Sequence, residues 1–137
     1  MLRYRMLADE NGDQLCETNA TGQDVLRHSM LNKGTAFPLE ERATFGIEGL
    51  LPPAVSTLEL QLLRCHKAYL AKATDLERYI YLRSLQDRNE VLFYSLLGRN
   101  LEEMMRIVYT PTVGEACQKF SQIYRFPRGV FLSAENI

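Results

Sequence analysis

A short pattern that starts helices recurs along the second half of this chain. A capping residue is followed three positions later by glutamate at five places, namely Ser56–Glu59, Thr74–Glu77, Asp87–Glu90, Asn100–Glu103 and Thr112–Glu115. At this spacing the first side chain caps the helix, and the glutamate reaches back to the cap residue. Each pair precedes or opens a segment with apolar residues at helical spacing. The pattern predicts helices near 57–72, 75–86, 89–98, 100–107 and 113–124.

Only a few residues separate these predicted helices, which favours antiparallel neighbours. Their apolar faces give the predicted core, consisting of Leu62, Leu63, Leu70, Leu76, Ile80, Leu92, Phe93, Leu96, Leu101, Met104 and Ile107. On the last helix the apolar face is formed by Val113, Ala116, Cys117, Phe120 and Ile123. The predicted fold class is therefore all-α, an array of short antiparallel-packed helices with minor β-strands at the N- and C-terminal ends.

The two strand predictions rest on turn signals. Asn11-Gly12 is a pair typical of tight hairpin turns, and it would join strands over 2–7 and 14–17. Near the other end, Val130-Phe131-Leu132-Ser133 follows a turn and has strand-like composition. A lone strand is marginal without a partner, so we expect this segment to open a further unit and the chain to be a fragment.

Between the hairpin and the repeated pattern, helix breakers are frequent. A short helix is predicted from Gly22 to about Leu31, and another begins at Pro38, where proline suits the first turn. Glycines and prolines make the segment 46–55 a loop despite its leucines.

Composition excludes several classes of protein. With 137 residues the chain is one domain's worth of sequence, and a net charge of −1 gives no reason to expect nucleic acid or an acidic membrane surface as partner. Cys16, Cys65 and Cys117 have no paired spacing, which favours free thiols in a reducing compartment. No apolar run approaches the roughly 20 residues that span a bilayer, and the first residues lack a secretory signal. We expect a cytoplasmic protein.

The candidate chemistry is sparse. His28 and His66 are not at metal-ligand spacing with another ligand, and no glycine-rich phosphate loop is present. Tyr109 is the strongest candidate for a catalytic residue, because Ile107-Val108 precede it and Pro111 fixes the turn that follows. A phenol stays protonated at neutral pH, as a proton donor must. The alternative is that Tyr109 is a half-buried packing residue whose hydroxyl is satisfied.

At these residues the sequence resembles malic enzymes of the large-subunit type. The resembling segments are Leu31–Phe37, Gly49–Pro53, Glu77–Leu82, Gln86–Glu90, Tyr109–Cys117 and Phe126–Gly129, which cover roughly 31–134 in the family's order. Residues 1–30 match nothing in the family. The resemblance implies one domain over 1–137, with a variable segment 1–30, a helical core 31–125, and at 126–137 the start of the next domain's first strand.

The resemblance also implies an activity. Malic enzymes oxidise L-malate with NAD or NADP and decarboxylate the product to pyruvate and CO₂, using Mg²⁺ or Mn²⁺. Tyr109 stands where the family has its general acid, which protonates C3 of enolpyruvate. The family's lysine base, metal carboxylates and cofactor domain would lie beyond residue 137. We therefore expect the isolated chain to bind no cofactor or metal and to be inactive, and we expect a homodimer or tetramer.

The resemblance also implies a role for two arginines. Arg64 and Arg88 match arginines that bind the activator fumarate at the dimer interface of animal mitochondrial members, and a guanidinium pair suits a dicarboxylate. Ser56 takes the place of the acidic residue that completes that site, which weakens the expectation of fumarate regulation. A purely structural role for both arginines is the alternative. A free-standing helical module for dimerisation or anion binding, without catalysis, is the alternative function.

Overall fold

The computed structural model describes residues 3–12 and 14–136. The described chain begins with an antiparallel hairpin of β1 (Tyr4–Ala8) and β2 (Gln14–Thr18), in which Met6 lies opposite Cys16. Gly12 has a φ of +84°, a conformation that glycine adopts without strain, and its N–H donates to the Asp9 carbonyl at 3.0 Å. The predicted hairpin is confirmed.

The rest of the chain is mainly helical. The helices are α1 (Gln23–Arg27), α2 (Leu39–Phe45), α3 (Leu58–Leu70), α4 (Asp75–Arg88), α5 (Glu90–Arg99), α6 (Leu101–Val108), α7 (Thr112–Gln118) and α8 (Phe120–Ile123), with a 3₁₀ turn at Gly34–Ala36. The mostly helical fold is confirmed, and 46–55 contains no helix or strand, as predicted. Two helix predictions were too long, because α1 already ends at Arg27 and the last predicted helix is divided at Lys119.

The caps differ from the pattern that located the helices. Only at α4 do both capping-box bonds form, with Glu77 N–H donating to Thr74 Oγ1 at 3.2 Å and Thr74 N–H donating to Glu77 Oε2 at 2.9 Å. The residues that cap α3 and α5 are Thr57 and Asn89, each shifted from the predicted position. At α7 the predicted cap residue Thr112 is the first helical residue, so its side chain cannot act as the cap.

The main core lies between α3, α4, α5 and α6. Its buried residues are Leu62, Tyr69, Leu82, Leu85, Leu92, Phe93, Leu96, Met104 and Ile107. Most of the core predicted on α5 and α6 is confirmed. The prediction was wrong for Leu63, Leu70 and Leu101, which are 51 %, 51 % and 52 % exposed, because those sides of α3 and α6 face away from the bundle. Leu76 and Ile80 are partly buried.

A second, smaller core supports the segment between the hairpin and α3. Ala20, Val25, Leu31, Phe37 and Ile47 form it.

A buried guanidinium lies in the same region. Arg42 is only 3 % exposed, and it donates to the Thr35 and Phe37 carbonyls before α2 and to the Pro52 carbonyl in the proline-rich loop that follows α2. A charged group is buried at low cost only when it is fully hydrogen-bonded, so Arg42 fixes that loop.

The C-terminal segment differs from its prediction. Residues 130–133 form no strand in the described structure, and Val130 and Leu132 are 83 % and 73 % exposed. Among the described residues β1 and β2 pair only with each other, and a strand without a pairing partner is marginal. Within the described ranges, no helix combines the length and apolar character that a membrane span requires.

Candidate catalytic tyrosine and paired arginines

Tyr109 lies at the junction of α6 and α7, and its backbone is held from both sides. Its N–H donates to the Met105 carbonyl at 2.9 Å, and its carbonyl accepts from Val113 N–H at 2.9 Å. The peptide bond between Thr110 and Pro111, which turns the chain into α7, is cis. One hydrogen bond therefore ties the tyrosine to the last turn of α6 and the other to the first turn of α7.

The last turn of α6 is itself anchored. Ile107 is 1 % exposed within the main core, and Arg106 Nη2 donates to Asp75 Oδ2 at 2.8 Å. Asp75 is the first residue of α4, and it also accepts from Arg78 at 2.9 Å. The contact between Arg106 and Asp75 thus fixes the turn before Tyr109 relative to the N-terminal end of α4.

The Tyr109 side chain is 65 % exposed. This exposed fraction is larger than that of a half-buried packing residue. The exposed ring can contact a group that approaches from outside the helical bundle.

Two other tyrosines, Tyr69 and Tyr81, are far less exposed than Tyr109. Burial raises the pKa of Tyr69, and the nearby Glu103 carboxylate raises it further. Burial also raises the pKa of Tyr81, and a hydrogen bond with Cys65 adds to the effect. Tyr69 is buried within the main core, and Tyr81 is partly buried against it.

The two candidate arginines are exposed and lie on different helices. Arg64, on α3, donates from Nη1 to Ser56 Oγ and from Nη2 to Thr35 Oγ1, both at 3.3 Å. Arg88, at the end of α4, donates from Nε to the Ser84 carbonyl at 3.1 Å. Among the residues that the structure describes, neither guanidinium forms a salt bridge with a carboxylate.

The segment 32–35 contacts both arginine positions. Thr35 binds the Arg64 side chain, and Asn32 Nδ2 donates to the Arg88 carbonyl at 3.1 Å. The Thr35 carbonyl in turn accepts from Ser56 N–H at 2.9 Å and from Arg42 Nη2 at 3.2 Å. Arg42 therefore holds in place the two hydroxyl residues that contact Arg64. Nothing in the sequence pattern indicated this role for Arg42.

The described residues do not fit a metal site. Over 3–12 and 14–136 there is no group of three or more histidine, cysteine, aspartate or glutamate side chains that could hold a metal ion. His66 Nε2 instead lies 3.1 Å from Glu103 Oε2, and the His28 ring packs edge-on against Tyr4.

Comparisons with known proteins bear on this arrangement. Residues 86–137 match the family model described as malic enzyme, N-terminal domain. The chain is 55 % identical over 115 residues to the NAD-dependent malic enzyme of Proteus mirabilis (strain HI4320), a match over 84 % of this chain and 20 % of that protein. It is 54 % identical over 112 residues to the NAD-dependent malic enzyme of Pseudomonas aeruginosa (strain LESB58), covering 82 % and 20 % of the two chains. It is 47 % identical over 128 residues to the NAD-dependent malic enzyme of Aeromonas salmonicida (strain A449), a match over 93 % of this chain and 23 % of that protein. The chain spans about a fifth of the length of these relatives.

Proposed function

Because residues 86–137 match the family described as malic enzyme, N-terminal domain, we propose that this chain is the helical part of an enzyme that converts L-malate to pyruvate and CO₂ by NAD-dependent oxidative decarboxylation. The similar proteins are named NAD-dependent malic enzymes, which favours NAD over NADP. The free cysteines Cys16, Cys65 and Cys117 are compatible with the cytoplasmic location that we include in the proposal.

In this proposal Tyr109 is the general acid. Loss of CO₂ from the oxidised substrate leaves the enolate of pyruvate, and C3 of this enolate must gain a proton to give pyruvate. The Tyr109 hydroxyl donates that proton to C3, and the resulting phenolate is reprotonated from solvent. The observation that carries this role is a 65 % exposed phenol on a backbone fixed by two helices.

The described residues supply only this part of the reaction. They offer no cluster that fits Mg²⁺ or Mn²⁺, so we assign no step through a metal to them. We propose that the metal ligands, the lysine base and the NAD-binding domain belong to parts of the enzyme outside these 137 residues. We therefore propose that the isolated 137-residue chain is inactive. Malate-dependent NADH formation by this chain in the presence of Mn²⁺ would contradict that part of the proposal.

The test of the acid is Tyr109→Phe in the full-length enzyme, which removes the proton and leaves the ring. General acid catalysis is worth ~10²–10⁴-fold, so kcat should fall by a factor in that range. The matched control is Tyr124→Phe, which removes a hydroxyl from another exposed tyrosine, 43 % accessible, and should leave kcat unchanged. If Tyr109→Phe keeps the wild-type kcat, Tyr109 is not the acid.

We also propose that the protein forms a homodimer or tetramer. Leu60, Leu63 and Leu70 lie on one side of α3 and are 52 %, 51 % and 51 % exposed, which leaves an apolar strip that a monomer would present to water. Leu63→Glu should lower the mass measured by sedimentation, whereas Glu102→Gln at an exposed position on α6 should not change it. A wild-type protein that sediments as a monomer would refute the proposal.

The alternative function is an anion-binding or dimerisation module without catalysis. The observation in its favour is that Arg64 and Arg88 are exposed and lack a salt bridge among the described residues. The same observation supports an allosteric dicarboxylate site within the enzyme, in which the Ser56 hydroxyl replaces an acid as partner of Arg64. Fumarate titration of full-length wild-type protein and the Arg64→Met variant tests this site. Binding that is equally tight in both excludes Arg64.

A further inference from the structure

The Arg128 side chain fastens the segment that follows α8 to the junction of α4 and α5. Its Nε donates to Asp87 Oδ1 at 2.8 Å, and its Nη2 donates to the Gln86 carbonyl at 2.9 Å and to Glu90 Oε1 at 3.0 Å. The guanidinium thus bridges the end of α4 and the start of α5. We call this set of contacts the Arg128 clamp.

The clamp reaches a third segment through Glu90. Glu90 Oε1 also accepts from Ser29 Oγ at 3.0 Å, and Glu90 N–H donates to the Ser29 carbonyl at 2.9 Å. The segment after α1, the junction of α4 and α5, and the segment after α8 are therefore joined in one hydrogen-bond network. These three parts are far apart in sequence, since Ser29 and Glu90 are separated by 61 positions.

A second contact holds the same segment on its other side. The Phe131 ring lies 6.0 Å from the Phe120 ring and 6.3 Å from the Tyr124 ring, measured between centroids. With Arg128 on the junction of α4 and α5 and Phe131 on α8, the direction of the chain over 126–132 is determined at two points.

The clamp has the geometry of a specific contact. The side chains of Arg128, Asp87 and Glu90 are 27 %, 15 % and 24 % exposed, so water screens them only in part. Burial by itself would lower the pKa of Arg128, but the hydrogen bonds to Asp87 and Glu90 outweigh it and raise that pKa. The planar guanidinium can bind both carboxylates at once, which a lysine ammonium cannot do with the same directionality. Arg125 is the natural comparison, because among the described residues it donates only to the carbonyls of Gln122 and Tyr124, in its own stretch of chain.

Helix α4 connects the clamp to Tyr109. The turn before Tyr109 is anchored at Asp75, the first residue of α4, and Arg128 is anchored at Asp87, next to its last residue. A helix of this length spans ~20 Å at ~1.5 Å per residue and behaves as a rigid spacer. The tyrosine and the departing chain are therefore set at opposite ends of one rigid element.

We propose that Arg128 is a positioning residue, which fixes the direction of the chain after α8 and thereby places Tyr109 against the parts of a malic enzyme that follow. This inference rests on the proposed function. Arg128 touches no reacting atom in the proposal, and it acts through the geometry of α4. A displacement of about 1 Å between reacting groups can cost ~10²-fold in rate, so a loosened clamp should be visible in turnover.

The test uses the full-length enzyme with Arg128→Met, Arg128→Lys and the control Arg125→Met. We expect Arg128→Met to lower kcat by roughly 10- to 100-fold with little change in KM for malate, because orientation is lost while substrate contacts remain. Arg128→Lys keeps the charge and should recover part of kcat. Arg125→Met should be unchanged. Hydrogen exchange of 126–132 should be faster in Arg128→Met than in the wild type.

Several outcomes would overturn the inference. They are a kcat for Arg128→Met within about twofold of wild type, an equal loss in Arg125→Met, or no recovery with lysine. If Arg128→Met does not fold, Asp87→Asn removes one carboxylate charge from the clamp, and a wild-type kcat in that variant overturns the inference as well. The result remains separate from the proposed function, because Tyr109→Phe tests the acid and leaves the clamp intact. An impaired Tyr109→Phe beside an unaffected Arg128→Met would refute only the positioning role.

Discussion

Replacing Arg42 by methionine should destabilise the protein more than any change at an exposed arginine. The side chain is 3 % exposed and donates to the carbonyls of Phe37 and Pro52 at 2.8 Å each and of Thr35 at 3.2 Å. Two longer contacts, to Pro53 at 3.5 Å and Ala54 at 3.4 Å, add little. A net hydrogen bond is worth ~1 kcal/mol and somewhat more when one partner is charged, so loss of the three short ones should cost about 3–4 kcal/mol.

Urea unfolding followed by circular dichroism measures this loss. With a slope of about 2 kcal/mol/M, a destabilisation of ~3–4 kcal/mol lowers the unfolding midpoint by ~1.5–2 M. Arg42→Lys keeps the charge and can reach fewer carbonyls, so its midpoint should fall between those of the wild type and Arg42→Met. The control is Arg27→Met at an exposed position on α1. If Arg42→Met and Arg27→Met have the same midpoint, the carbonyl contacts do not stabilise the loop and the reasoning is wrong.

Two smaller predictions use matched pairs. Leu82→Ala, at a fully buried position, should cost ~2–5 kcal/mol in chemical denaturation, while Leu101→Ala on the exposed side of α6 should cost far less. Equal losses would contradict the assignment of the core. Thr74→Ala should cost ~1 kcal/mol by removing the cap of α4, and Ser56→Ala should not weaken α3 by loss of a cap, because Ser56 is not its cap residue. The backbone hydrogen bond from Thr74 lowers the pKa of Glu77 below 4.5, so the cap's contribution is present above pH ~4.5 and is lost as the pH falls through the folded-state pKa. Glu77→Gln should therefore flatten the dependence of stability on pH below that point.

Helix positions were predictable because the signals for them are local. A capping residue, a glutamate three positions later and apolar spacing lie within one or two turns of chain, and they located α3 to α7 within a few residues. The same signals did not identify which side chains cap the helices. At α3 and α5 the caps are Thr57 and Asn89, one and two positions after the predicted Ser56 and Asp87, because several neighbouring side chains can cap and the position at which the helix starts selects one of them.

The buried side of a helix was less predictable. Leucines occur on more than one side of α3, and their spacing is equally helical for Leu62, which is buried, and for Leu63, which is exposed. Spacing alone cannot show which side of α3 is buried, because that depends on where α4 and α5 lie. Tyr69, the largest fully buried side chain, was missed because a tyrosine is not a distinctive core signal.

The sequence by itself determined that a tyrosine stands between two helices, and its motifs indicated the similarity to malic enzymes without coordinates. Only the tertiary structure decided that the ring of Tyr109 is exposed, that Arg42 holds Thr35 next to Arg64, and that Arg128 is clamped to Asp87, 41 positions away in the chain. The physical reason is the sequence separation over which each interaction acts. Helix starts and turns are decided by neighbouring residues, whereas ion pairs and exposure depend on which distant surfaces packing brings together.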